Sequence, residues 1–225
     1  MEQTSKPAPL TAREFLKKTW KELRYAMYLT THPAKGFWEI KNEGEGSTFT
    51  GLLIFGFTVF VMILSNLYTG FIFGGERNVH YNFFTTVVST SALFFGWAIA
   101  NWCLTCLFEG EGKITDIIRA TGYALLPFAI IQLLMIFLSN YFVIREEQFY
   151  TMLNSISFAW MIALLIMSVM ITHQYSVAKA LLVCIASAVA MMMLAYLILL
   201  FFFLINRIMD FITIYMDEVR IRMVD

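Results

Sequence analysis

Charge is what this sequence has least of. Asp, Glu, Lys and Arg make up 14% of its 225 residues. Residues 49–73, 83–108, 122–143 and 154–171 contain none of them, and residues 178–205 contain only Lys179. A run of ~20 apolar residues crosses the ~30 Å hydrocarbon core of a bilayer as a helix. With 59% hydrophobic residues and a mean hydropathy of +0.69, the chain exceeds the roughly 45–50% apolar content of a soluble domain. The expected fold is an all-α polytopic membrane protein with five transmembrane helices.

Other absences exclude other classes. The net charge is zero, so no basic surface points to nucleic acid. Three cysteines, all within apolar runs, give no disulfide framework. No apolar segment follows Met1, so no cleaved signal peptide is expected and the first span serves as the insertion signal. Proton-coupled transporters keep ionisable groups at membrane depth, and the middle of every run lacks one. Neither HExxH, nor GxSxG, nor a phosphate-binding glycine loop ending in lysine and serine or threonine occurs. No catalytic residue, cofactor or metal ligand is expected, and no enzyme.

Lys and Arg sit asymmetrically. Eight precede the first span, and Lys113, Arg119 and Lys179 fall in the loops on the same side. Arg77, Arg145, Arg207, Arg220 and Arg222 fall on the other. The bias places the N-terminus in the cytoplasm, within a cell membrane. Three regions follow: a cytoplasmic segment over 1–48, a five-helix unit over 49–205 and an amphipathic tail over 206–225. The tail continues the last span or forms a separate surface helix.

In the N-terminal segment, Thr11 and Glu14 have capping-box spacing. Phe15, Leu16, Trp20, Leu23 and Met27 then recur at helical spacing among basic residues. Such a helix lies on anionic lipid or packs on the protein's own loops. His32-Pro33 ends it, and Phe37 and Trp38 read as interfacial anchors.

One short motif occurs twice. Glu43, Gly44, Glu45 and Gly46 lead into the first span, and Glu109, Gly110, Glu111 and Gly112, followed by Lys113, lead into the third. Glycine permits tight turns, Ser47 can cap the first span, and Glu45 suits the positive end of its helix. A short helix over 114–121 is expected after Gly112. Turn chemistry alone leaves four carboxylates on one membrane face unexplained. They suit a basic partner or a divalent ion. Within the spans, Asn66, Asn101, Gln132 and Asn140 are expected to hydrogen-bond between helices. Pro127 should bend the third span, and Gly96 with Ala100 permits close helix approach.

The segments "EIKNEGEGS", "NWCLTCLFEGEGKITDIIRATGYALLPF" and "THQYSVAKA" resemble the Yip1-domain family, and their loops are most similar to its bacterial members. The resemblance runs from about residue 33 to 215. It implies five transmembrane helices, a cytoplasmic N-terminus and no enzymatic activity. Eukaryotic members engage small GTPases in the ER and Golgi and carry a longer Pro/Gly-rich N-terminal region, so GTPase binding is not carried over. Some bacterial members accompany ABC-type transporters. The expected function is a membrane scaffold or accessory subunit that docks such a partner, or a second copy of itself. Both EGEG loops and the turn with Thr172, His173 and Tyr175 would form the docking surface. The alternative is a small passive permease, with Asn101 and Gln132 lining a path near Pro127.

Overall fold

A computed structural model describes residues 12–70, 73, 82–108, 110 and 112–224. Thr11, Glu109 and Glu111 lie outside the described residues, and with them the proposed capping box and half of the proposed carboxylate set. All described elements are helical: α1 (Ala12–Thr31), α2 (Pro33–Asn42), α3 (Thr48–Tyr68), α4 (Phe83–Leu107), α5 (Ile114–Ala124), α6 (Leu126–Ser139), α7 (Glu147–Thr172) and α8 (Val177–Val224), with a short 3-10 turn at Ile144–Glu146. Five helical stretches are long and apolar enough to cross a membrane: α3, α4, α5 with α6, α7, and α8.

Local chemistry sets most boundaries. Ser47 Oγ accepts the Thr50 N–H at 3.2 Å and starts α3, as its position before an apolar run predicts. Asn82 caps α4 in the same way, its side chain accepting the Phe84 N–H at 3.0 Å. His32 separates α1 from α2, where Pro33 occupies the first turn. Proline is tolerated there because that N–H has no intrahelical partner. The segment after Pro33 is itself helical, and it buries Phe37 while Trp38 stays exposed. Only Trp38 therefore faces outward as an anchor would.

Two spans differ from the hydropathy reading. The third begins at Ile114, not at 122. Its first turns carry Asp116 and Arg119, which pair at 3.4 Å and so continue the helix while still charged. The span is interrupted at Leu125, whose N–H turns back to the Gly122 and Tyr123 carbonyls. Pro127 then sits in the first turn of α6, so the break lies two residues before it. The fifth helix does not stop at 205 but runs through Val224. Forty-eight residues make about 72 Å, more than twice a hydrocarbon core.

The α5–α6 span is the most buried of the five. Its contact with α3 is made by glycine. A Cβ on Gly51 would lie 3.1 Å from the Arg119 carbonyl oxygen, and one on Gly122 would meet the Gly51 backbone, 2.7 Å from its carbonyl carbon. A core cluster at the N-terminal end joins Ala26 and Leu29 of α1, Phe37 and Ile40 of α2, Ile54 of α3 and Tyr123 of α5. Amides bridge the helices: Gln132 donates to Asn154 at 2.6 Å, Asn66 to Thr86 at 3.3 Å, and Asn140 to the Tyr68 carbonyl at 3.1 Å. Helix α8 runs antiparallel to α4, with Gly96 against Met191 and Asn101 bonded to Ser187. From residue 195 to 216 every side chain of α8 is exposed. Up to residue 205 this exposed stretch carries no charge, and a helix that is apolar all round suits lipid.

Candidate functional site

The glycine-rich motifs meet at the end of the bundle that carries α1 and α2. The first EGEG turn joins α2 to α3. Gly44 and Gly46 both take positive φ, 70° and 154°, which disfavours any residue with a Cβ. A Cβ on Gly46 would also lie 3.0 Å from the Tyr123 hydroxyl. Glu45 pairs with Lys21 of α1, both carboxylate oxygens at 3.0 Å from Nζ. The carboxylate at the start of α3 is a different one. Glu22, 5% exposed, accepts the Ser47 hydroxyl at 2.6 Å and the Thr50 hydroxyl. A negative group is stabilised beside the positive end of a helix, and here it also fastens α1 to the first span.

The second motif packs onto the turn between α7 and α8. A Cβ on Gly110 would lie 2.5 Å from the Tyr175 hydroxyl, and one on Gly112 would lie 2.7 Å from His173 Nδ1. Both glycines are thus required by close approach to the two rings. Helix α7 ends with Gln174 in the left-handed region at φ 55°. The Tyr175 N–H bonds to the Met170 carbonyl at 2.9 Å and the Gln174 N–H to Ile171 at 3.4 Å, the pattern of a Schellman close. This turn holds His173 and Tyr175 facing loop 107–113.

His173 joins three elements. Its Nδ1 accepts the Gly112 N–H at 3.2 Å, so the proton is on Nε2, which donates to Asn101 Oδ1 at 3.2 Å. Asn101 in turn donates to Ser187 of α8 at 3.3 Å. Asn101 is fully buried and His173 is 2% exposed. Burial, with the Lys41 cation as a smaller cause, pulls the His173 pKa down to about 4, so the ring is neutral at ordinary pH, as this bonding requires. Burial also raises the Tyr175 pKa. Its hydroxyl and the Lys179 ammonium both bond the Phe108 carbonyl, at 3.3 and 2.9 Å. Lys179 lies 4.4 Å from the Tyr175 ring centroid, within cation–π range.

Two cations tie the halves together. Lys41 donates to the Thr172 carbonyl at 2.6 Å, and Arg119 to the Ile40 carbonyl at 3.4 Å. The described parts of both EGEG loops, together with Thr172, His173 and Tyr175, therefore form one junction. Of the residues expected to bind a partner, Gly46, Thr172, His173 and Tyr175 are buried, while Glu43, Gly44 and Lys113 are exposed. Asn101 and Gln132 do not meet each other: Asn101 bonds to His173 and Ser187, and Gln132 bonds to Asn154. Glu22 escaped the sequence reading. The signal available was its phase, since at 100° per residue it shares a helix stripe with Ala26 and Leu29.

The Yip1-domain family model matches residues 27–206, from within α1 to within α8. No curated protein and no solved structure matched. The match takes in both EGEG motifs, Lys41, Arg119, His173, Tyr175, four of the apolar spans in full and most of the fifth, while Lys21 and Glu22 of α1 precede it. This multi-pass membrane chain belongs to the Yip1-domain family.

Proposed function

We propose that this protein is a non-enzymatic scaffold or accessory subunit of the cell membrane, with its N-terminus in the cytoplasm. Its junction face docks a membrane-protein or cytoplasmic partner, for which an ABC-type transporter is the leading class. One observation carries this reading: the loops and both N-terminal helices are bonded into a single plate at one membrane end, with Glu43 exposed on it. The excess of Lys and Arg on the same side supports the cytoplasmic orientation. A preformed plate lowers the ordering cost of association. The partner would be basic, meeting Glu43 together with Glu109 and Glu111. Glu45 is held by Lys21 and contributes to the plate, not to the contact.

The test is affinity capture from mild detergent, comparing wild type with a Glu43→Lys, Glu109→Lys, Glu111→Lys variant that leaves the Lys21–Glu45 pair intact. The expected result is a discrete membrane partner that the triple variant loses. Identical partners for both proteins, or none for either, would sink the docking reading.

A further inference from the structure

We propose that the cleft between α1 and the spans α3 and α6 is a binding site for one anionic phospholipid. An acyl chain would fill the cleft and the phosphate would meet Arg24.

The cleft has a volume of about 620 Å³, within the roughly 300–1,000 Å³ of sites that hold a single small molecule. Leu53, Phe57, Ile130 and Met27 line it, with Trp20 and Arg24 from α1. Leu53 and Phe57 lie five and nine residues into α3, about 7 and 14 Å along its axis. That depth belongs to the acyl region of a single leaflet, half of a ~30 Å core. An apolar cleft at this depth suits a hydrocarbon chain and excludes a polar solute.

Charge selects the head group. At 100° per residue, Arg13, Lys17, Trp20, Arg24 and Met27 fall within about 40° of one line along α1. All five are exposed, Trp20 at 74%. The other two lysines of α1 behave differently: Lys18 pairs with Glu22 and Lys21 with Glu45. Among the described residues, Arg13, Lys17 and Arg24 form no ion pair. The result is a stripe of uncompensated cations leading to the mouth of an apolar cleft. Guanidinium groups bind phosphate with two parallel hydrogen bonds, and tryptophan favours the level of the head groups. The stripe cannot swing away to a loose surface position, because Glu22, Ala26 and Leu29 on the opposite side are buried. The cleft is therefore a fixed feature of the bundle, and it does not depend on the docking reading.

The full chain in mild detergent, incubated with phosphatidylglycerol or with phosphatidylcholine of the same acyl chains, tests the proposal by native mass spectrometry. One phosphatidylglycerol should be retained per chain, with about a fivefold preference over phosphatidylcholine, the size expected for one basic side chain near an anionic head group. Leu53→Trp should remove the retained lipid. Leu93→Trp, on an exposed position of α4, should not. Arg24→Gln changes an exposed side chain and should keep the lipid while abolishing the head-group preference. Equal retention of the two lipids by wild type, or undiminished retention by well-folded Leu53→Trp, overturns the proposal. Should Leu53→Trp fail to fold, an unchanged preference in Arg24→Gln overturns it equally.

Discussion

Gly122→Val should break the bundle between its first and third spans. The new Cβ would meet the Gly51 carbonyl group, backbone against backbone, so no rotamer change relieves the clash. Valine adds a second branch at the same point. Overpacking typically costs about 1–3 kcal/mol, and a contact with no flexible partner belongs at or above the top of that range. At roughly 2–4 °C per kcal/mol for a chain of this size, thermal melting in mild detergent should fall by about 6–12 °C, or monodisperse protein should be lost. Gly56→Ala is the matched control. It lies on α3, where a Cβ would have no atom within 4 Å, and alanine favours helix over glycine, so its melting temperature should hold or rise. Equal effects at the two positions would contradict the close crossing of α3 and α5.

The second large effect concerns pH. His173 has an ordinary pKa of 6.5 that falls to about 4 in the folded protein. As pH drops below 6.5 the unfolded chain takes up this proton first, while the folded chain resists it. The stabilisation is therefore fully present above pH 6.5 and is lost progressively as pH falls toward 4. Subtracting the His173→Gln melting profile from that of wild type should leave a slope confined to that window. Asn101→Leu should remove part of the same stabilisation, because His173 Nε2 then lacks its acceptor. Coupling between the two substitutions should be about 0.6–1.7 kcal/mol, the range for hydrogen bonds between membrane helices. Strict additivity, or a difference profile flat from pH 4 to 6.5, would show that the ring is not the hub of the junction.

The five spans were legible because hydrocarbon imposes a length and a composition that few other environments require. Their ends were less so. Residues 114–121 read as a separate short helix ahead of the third span because they carry charge, yet Asp116 and Arg119 neutralise each other and occupy the first turns of that span. The tail after residue 205 left two readings open, and only the continuous helix through Val224 separates them. The EGEG motifs announced turns and a shared side, but not their neighbours. That Gly112 abuts His173, and Gly46 abuts Tyr123, depends on pairing across 61 and 77 residues of chain, which no local pattern encodes. Glu45 looked like the residue for the positive end of α3. Glu22 took that place because α1 folds back over the helix start, and Lys21 then engaged Glu45. The two described carboxylates of these motifs differ: Glu45 is committed to the scaffold, and Glu43 stands exposed.

The N-terminal helices, the described residues of loop 107–113 and turn 173–176 share one face, which the proposed orientation puts in the cytoplasm. Labelling with a membrane-impermeant maleimide tests it most directly, using single cysteines in a background without Cys103, Cys106 and Cys184. Glu43→Cys, Lys113→Cys and Gln174→Cys, all at exposed positions, should label only after the cells are opened. Tyr141→Cys, at the far end of α6 and 84% exposed, should label in intact cells. Labelling of Gln174→Cys in intact cells, or a split among the three junction positions, would contradict the account.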